Sequence, residues 1–408
     1  MIETMTTSMI EFSRLVHPMD PEVFLRDYYE RKPLFIARDN ARYFSDLLTA
    51  DDIDAALEDR AIARSVIRMA KEGVELHPDR FSEPSSDGVT DRVGNDRVLQ
   101  YFVEGQTLII NSGNRMFPGL ERYCEALERE FGFHLQPNIY ITPFSAQGFA
   151  THYDDHDVFV LQIMGQKNWR LFNAPIPLPS RRQTFPKMKD TFAIGEPEQE
   201  ITLRPGDMLY IPRGYLHDAG TDGTTSAHIT LGCYPVCRYD LVQEMALMAE
   251  DDVEFRASLP PGRPDDPEAL AEFGRRLRAF VDRLDLDRLV ARRRRSFMQD
   301  RRPDLRHRFR DLASLNRLNL KTVVRRRLGV LYEVERAAGK TAVRFLRQNV
   351  PVQPFLEGAL DLVLGERAFA VREIDGFVTD NGRLELVKAF LKGGLLETVE
   401  WNDDSQPQ

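Results

Sequence analysis

The sequence predicts a mixed α+β chain: helices first, then a jelly-roll barrel of short strands, then a helical region and a small terminal module. Three observations predict it. Apolar residues recur at helical spacing as far as Phe131, switch to a period of two from Asn138 to Leu231, and return to helical spacing after Tyr239. Within the middle stretch the alternating runs are short and separated by turn residues, which argues a sandwich or barrel.

The elements follow in order. Pro21-Glu22-Val23-Phe24-Leu25 opens a helix with proline in its first turn and Asp20 as N-cap. Ala50 to Leu57 reads as a second helix, and Ser85-Ser86-Asp87-Gly88 as a loop. From Pro118 to Phe131 the residues Leu120, Tyr123, Cys124 and Leu127 fall on one side of a helix. Asn138 to Thr142 alternates polar and apolar. Val158 to Ile163 is a buried strand, turned at Gly165-Gln166 into Asn168 to Phe172. Glu200 to Leu203, then Met208 to Ile211 after the turn Gly206-Asp207, then Ser226 to Leu231 complete the strands.

Beyond Tyr239, Leu241, Met245 and Met248 form one helical stripe, Pro260 to Pro264 breaks the chain, and Leu270 to Leu289 is helical. Leu277, Phe280 and Leu284 form a second stripe. A two-helix segment cannot bury both stripes alone, so a two-fold homodimer is expected. The last hundred residues hold a helix or two, a strand from Phe369 to Ile374, a helix from Leu384 to Leu391 and a strand from Leu395 to Val399. Helices followed by a short terminal strand suit a winged-helix-like module. The expected division is 1–239 for the barrel with its N-terminal helices, 240–310 for the helical region and 311–408 for the terminal module. No repeats are evident.

Composition narrows the class. The 408 residues carry 64 acidic and 55 basic side chains, a net charge of −9, which favours solubility. No apolar run reaches the roughly eighteen residues a membrane span needs. Met1 to Met5 lacks the basic start and apolar core of a signal peptide. Cys124, Cys233 and Cys237 suit neither a disulfide framework nor a zinc site, so a reducing cytoplasm is expected. From Arg288 to Arg327 there are fifteen Lys or Arg against three acids, densest at Arg292-Arg293-Arg294-Arg295. A solvated helix face or an acidic contact within a dimer explains this run; contact with RNA is the sharper account. Few aromatics interleave, so a stacking platform for single strands is not indicated.

The chemistry concentrates in two segments. His152 and Asp154 stand two apart, so on an extended strand they point the same way. His217 follows Met208-Leu209-Tyr210-Ile211-Pro212-Arg213-Gly214 and can close a triangular face. Two imidazoles and a carboxylate hold Fe(II) and leave three positions open. Such a face needs an electron source, commonly 2-oxoglutarate. Its far carboxylate calls for a cation, and Lys167, beside Trp169 in an apolar stretch, is the candidate. The alternative for Lys167 is a turn lysine in solvent beside Gly165-Gln166. Asn138 and Tyr140 share one strand face, as do His228 and Thr230; each pair lines a ligand or faces solvent. His156 shares the parity of His152 and Asp154 and reads as an entrance histidine. His17, His77, His134 and His307 lack a motif.

These residues resemble a known family. Asn138-x-Tyr140-x-Thr142-Pro143, His152-Tyr153-Asp154-Asp155, Val158 to Gln162, Gly165-x-Lys167-x-Trp169-Arg170-Leu171 and Pro205-Gly206-Asp207 through Ile211-Pro212-Arg213-Gly214-x-x-His217 look like the JmjC oxygenases, most of all the ribosomal-oxygenase branch. The resemblance covers residues 110–235. It implies a cupin-like double-stranded β-helix, with the helical region as a dimerisation region before a winged helix. It implies His152, Asp154 and His217 as ligands of Fe(II), and Lys167 as partner of the distal 2-oxoglutarate carboxylate. Asn138 and Tyr140, and less securely Thr230 and His228, match positions near co-substrate or substrate. Gly232 departs from the pattern where some relatives have serine, and His156 replaces other residue types. The implied reaction spends molecular oxygen and 2-oxoglutarate to hydroxylate a side chain in a protein or peptide, such as a ribosomal protein. Hydroxylation of a peptide natural product and N-methyl-lysine demethylation are alternatives. A cupin-like scaffold that binds a partner or nucleic acid through its terminal module is the non-enzymatic one.

Overall fold

A computed structural model describes residues 9–58, 62–84, 91–144, 146, 148, 150–301, 305–337, 339–375 and 379–399. The expected loop at Ser85 to Gly88 and the segment Met1 to Met5 lie outside these. The described chain divides into two compact units, one ending at Pro235 and one beginning at Val236.

In the first unit, helices α1 (Ile10–Val16), α2 (Pro21–Asp27), α3 (Ala50–Glu58), α4 (Asn95–Val103), α5 (Pro118–Phe131) and α6 (Phe185–Met188) accompany thirteen strands. These are β1 (Leu34–Ile36), β2 (Ile67–Lys71), β3 (Val74–Glu75), β4 (Ser82–Pro84), β5 (Asp91–Val93), β6 (Thr107–Ile110), β7 (His134–Thr142), β8 (Asp157–Met164), β9 (Lys167–Leu171), β10 (Gln199–Leu203), β11 (Met208–Ile211), β12 (His217–Gly220) and β13 (Ser226–Tyr234). Asp20 caps α2 as the sequence suggests: its carboxylate accepts the N–H groups of Glu22 and Val23.

The strands do not close into one barrel. They form an eight-stranded sheet, β1-β11-β8-β13-β7-β6-β2-β3, and a three-stranded sheet, β10-β9-β12. Between β7 and β8 the described chain makes no strand, only an isolated bridge between His152 and His217. His152 and Asp154 thus lie in a linking segment outside the sheets, and Tyr153 between them is buried against Phe172 and Leu216 while both candidate ligands stay partly exposed.

Strand parity sorts the core. Phe159, Leu161, Met208 and Tyr210 join the helix-side core, whereas Val158, Val160, Leu209 and Ile211 pack with Trp169, Leu171 and Leu203. Both faces of β8 are therefore covered, which is why it reads as an unbroken apolar run. On the helix side the Phe24 ring meets Tyr210 edge-on at 4.9 Å and Phe159 at 5.7 Å. β7 and β13 run antiparallel with Tyr140 opposite His228 and Asn138 opposite Thr230. The two polar pairs thus become neighbours on one face.

The second unit begins with α7 (Arg238–Ala249), α8 (Val253–Arg256), α9 (Pro267–Asp282) and α10 (Leu286–Asp300). The helix expected from Leu270 to Leu289 is two helices, because Asp285 takes the Arg288 N–H and caps a new start. Then come α11 (Arg308–Ser314), strands β14 (Val323–Arg326), β15 (Tyr332–Ala337), β16 (Lys340–Phe345) and β17 (Gln348–Val352), α12 (Leu360–Leu364), β18 (Phe369–Ala370), α13 (Asp380–Gly393) and β19 (Leu396–Thr398). Four strands thus occupy a stretch expected to be helical. Thr341, Val343 and Phe345 point inward on β16 while their neighbours do not, a period of two. The strand expected from Phe369 to Ile374 stops at Ala370, whose N–H is taken by the Glu373 carboxylate to close a turn.

The arginine-rich stretch is partly neutralised within its own unit. Arg292 meets Glu244 at 2.6 Å, Arg295 meets Glu333 at 2.7 Å, and Arg325 meets Glu397 at 2.6 Å. Among the described residues, no helix is long and apolar enough to cross a membrane.

Candidate metal centre

His152 and His217 are held by each other's backbone. The His152 N–H donates to the His217 carbonyl at 3.1 Å, and the reverse bond is 2.7 Å. The side chains of His152, Asp154 and His217 each offer one ligand atom within 4.8 Å of the others. Asp154 lies 4.0 Å from His152 Nε2 and 3.7 Å from His217 Nε2. In each histidine Nδ1 is spent on a carbonyl, Ala150 at 2.9 Å for His152 and Tyr215 at 3.0 Å for His217. A carbonyl only accepts, so Nδ1 carries the proton and Nε2 keeps its lone pair for a metal.

The neighbours of the ligands are tied as well. The buried Asp218 carboxylate accepts Thr151, next to His152, and two bonds of 2.8 Å from Arg170. This stitches the two histidine segments together one residue from each ligand. Electrostatics prepare Asp154 and His217 for a metal. Burial alone would raise the Asp154 carboxyl, but His156, His152 and His217 hold it below its ordinary range. Burial, reinforced by His152, pushes the His217 imidazole down to about 4. An ionised carboxylate and neutral imidazoles are what metal binding demands. This donor set fits a divalent first-row ion such as Fe(II), with further positions left to other molecules.

The triad opens on a cavity of about 70 Å³, lined also by Thr107, Tyr140, Lys167, Trp169, His228 and Thr230. Lys167 is 3% exposed. Burial pulls its ammonium down to about 7. Its Nζ donates to Thr142 Oγ1 at 2.6 Å, and among the described residues no carboxylate pairs with it. A cation held in a cavity with a neutral hydroxyl for company fits an anionic ligand. His228 stacks on Tyr140 at 5.0 Å, nearly parallel. Its Nδ1 is buried with no partner among the described residues, and burial with Lys167 nearby keeps it neutral. The indole N–H of Trp169 is likewise unpartnered.

Asn138 stands apart from the lining. Its amide oxygen accepts the Ser112 N–H at 3.1 Å, and its side chain bonds Tyr140 from behind. Thr142, Thr107 and Asp218 were not singled out from sequence. Thr142 shares the parity of Asn138 and Tyr140 on β7, a signal that pointed to it; Thr107, on a neighbouring strand, gave none.

The two departures from the family pattern are one feature. The His156 ring lies over Gly232, where a Cβ would come within 2.8 Å of its Cδ2 and Nε2. The other packing partner of that ring is Tyr234, stacked at 4.8 Å. A glycine inside a strand marks such a close approach. His156 is therefore a wall beside the metal centre, outside the ligand triad.

Residues 113–241 match the JmjC domain. Outside that stretch the similarity continues. The chain is 31% identical over 288 residues to mouse ribosomal oxygenase 2, covering 66% of this chain and 58% of that protein. It is 28% identical over 313 residues to human ribosomal oxygenase 1, covering 72% and 48%. It is 31% identical over 257 residues to the Aedes aegypti bifunctional lysine-specific demethylase and histidyl-hydroxylase NO66, covering 61% and 40%. The chain thus spans about half the length of these relatives. The Escherichia coli ribosomal oxygenase YcfD, solved with cobalt and 2-oxoglutarate, superposes with a TM-score of 0.52 at 15% identity, covering 94% of this chain and 99% of that one. The fold is therefore mixed α and β with a cupin-like JmjC core.

Proposed function

We propose that this chain is a 2-oxoglutarate- and Fe(II)-dependent oxygenase that hydroxylates a side chain of a protein, with ribosomal proteins as the substrate class. One observation carries the reading: a His-Asp-His triad and a buried, uncompensated lysine face the same cavity. The names of the relatives support the ribosomal substrate, and the ligands in the YcfD structure support the co-substrate.

His152, Asp154 and His217 would hold the iron. When bound, it supplies the reduction of molecular oxygen coupled to decarboxylation of 2-oxoglutarate. The balance turns a C–H bond, oxygen and 2-oxoglutarate into an alcohol, succinate and carbon dioxide. Lys167 pairs with the far carboxylate of the co-substrate, and Thr142 orients its ammonium. The neutral His228 and Thr230 offer further hydrogen bonds in the same cavity. Tyr140, braced by Asn138, forms the adjoining wall, and the apolar contacts of Trp169 keep water out. An N-methyl carbon could be oxidised by the same machinery, so the demethylase alternative differs only in substrate. A cytoplasmic location accords with this chemistry.

Purified protein with Fe(II) and ascorbate should convert 2-oxoglutarate to succinate, and Asp154→Ala should abolish it by removing the anionic ligand. Undiminished turnover in that variant would remove the metal assignment. Intact-mass spectra of ribosomal proteins from cells with and without the gene test the substrate: one protein should differ by one oxygen.

The division into 1–239, 240–310 and 311–408 is part of this proposal, with the middle region as a homodimer contact and the last as a winged-helix-like module. Val242, Leu247, Phe273, Val281 and Val290 are apolar and exposed on the helices of the middle region, which supports self-association. Light scattering at micromolar concentration should give twice the chain mass; a monomer mass would refute it.

A further inference from the structure

The segments that carry the ligands meet at a buried ion group. Arg213 lies four residues before His217, and Asp157 three after Asp154. Asp157 is fully buried and Arg213 is 7% exposed. Asp157 Oδ1 accepts the Arg213 N–H at 2.9 Å, and Oδ2 lies 3.5 Å from the guanidinium. The next residue, Gly214, donates its N–H to the Asp154 carbonyl at 3.0 Å. A shift of Arg213 is therefore a shift of both Asp154 and His217.

What fixes Arg213 comes from far away in the chain. Glu30, just past α2, takes the guanidinium Nη1 at 2.6 Å. The Glu30 N–H donates to the Tyr210 hydroxyl at 2.9 Å, and the Tyr215 hydroxyl donates to the Arg31 carbonyl at 2.8 Å. Two tyrosines from either side of Arg213 thus grip the same short segment. Glu30 has φ of 56°, a left-handed conformation that is unfavourable for a non-glycine residue and persists where the surroundings enforce it.

We propose that Glu30 and Arg213 are positioning residues for the metal centre: the N-terminal segment latches the 212–217 loop and sets the spacing of Asp154 and His217. This rests on the metal reading of the triad. Neither residue touches the metal. Their effect passes through the backbone of the ligand loop, and a displacement of about half an ångström is enough to spoil a ligand set. Glu30 lies outside the matched residues 113–241, so the JmjC stretch alone lacks its own brace.

The test uses the full chain and Co(II), whose visible spectrum reports ligand geometry. Glu30→Gln keeps the side-chain shape and removes the charge. It should weaken Co(II) binding about tenfold, as loss of an outer brace does at other metal sites, and change the visible bands. With metal saturating, the KM for 2-oxoglutarate should stay at the wild-type value. Arg213→Lys, which keeps the charge and loses the fork, should fall between the two. Tyr215→Phe leaves the ion group intact and should cost about twofold to threefold, separating positioning from folding if Glu30→Gln lowers the apo melting temperature. Wild-type Co(II) affinity and spectrum in both Glu30→Gln and Tyr215→Phe would overturn the latch alone. A wild-type chain that takes no Co(II) would overturn the metal reading and the latch with it.

Discussion

Two buried cations, one in each unit, are treated in opposite ways. Arg327 is fully buried against Asp311 at 2.6 Å, with Glu397 at 3.6 Å. The other Asp311 oxygen accepts the N–H and hydroxyl of Thr398. Every charge there has its counterpart inside the fold. Lys167 is also deeply buried, yet among the described residues its hydrogen-bond partner is the neutral Thr142. The first arrangement is finished by folding. The second is left for a ligand to finish, and that difference separates a structural charge from a binding one.

The comparison can be broken by variants. Arg327→Met should be the most damaging, because it strands Asp311 in the interior; a loss of about 3–5 kcal/mol from the second unit is expected in chemical denaturation. A loss below 1 kcal/mol would mean Asp311 has other support. Lys167→Ala should raise the 2-oxoglutarate requirement on the order of tenfold to a hundredfold while iron still binds. Lys167→Arg should be milder if the cavity admits the wider fork. Unaltered co-substrate affinity in Lys167→Ala would show that the ammonium meets no ligand.

A pH series sharpens the contrast. The folded chain releases the Lys167 proton near 7, below its ordinary 10.5, whereas an anion in the cavity raises that value. Binding therefore takes up a proton, and 2-oxoglutarate affinity should fall as pH rises above about 7, by at most about tenfold per pH unit. Lys167→Arg should flatten the profile, since arginine stays charged. By the same linkage, the ligand-free protein should gain stability from this group as pH rises from about 7 towards 10.5, where only the unfolded chain keeps the proton. The smallest effect expected is that of Lys167→Met on the ligand-free melting temperature. A volume-conserving change that removes a lone buried amine should not lower stability, because the cost of burying the ammonium goes with it. A large loss would place Lys167 with Arg327 as a structural charge.

The sequence was most legible where one force acted alone. Asp20 before Pro21 announced a helix start, and the both-sided burial of β8 announced a central strand. The cavity was half legible, from motif spacing and from the shared parity of Asn138, Tyr140 and Thr142. The geometry of the metal loop was not, because His152 and His217 meet through a single isolated bridge that no periodicity records. β15 was missed because Glu333 points inward and is paired with Arg295, so a carboxylate stands where alternation would show an apolar residue. Nothing near Glu30 hints at the loop it braces; that relation exists only in three dimensions.

The reciprocal backbone bonds between His152 and His217 bear on how the first unit assembles. β8, β9, β10 and β11 lie between the two residues in the chain, so theirs is a contact of high sequence separation and therefore slow to close. An unfolded chain cannot offer the three ligands at once. An ion that occupies them binds the native state alone and stabilises it by mass action, so the melting temperature of this unit should climb with free metal concentration. The triad would then serve the chain twice, once in chemistry and once as a fastener that rewards completion of the fold.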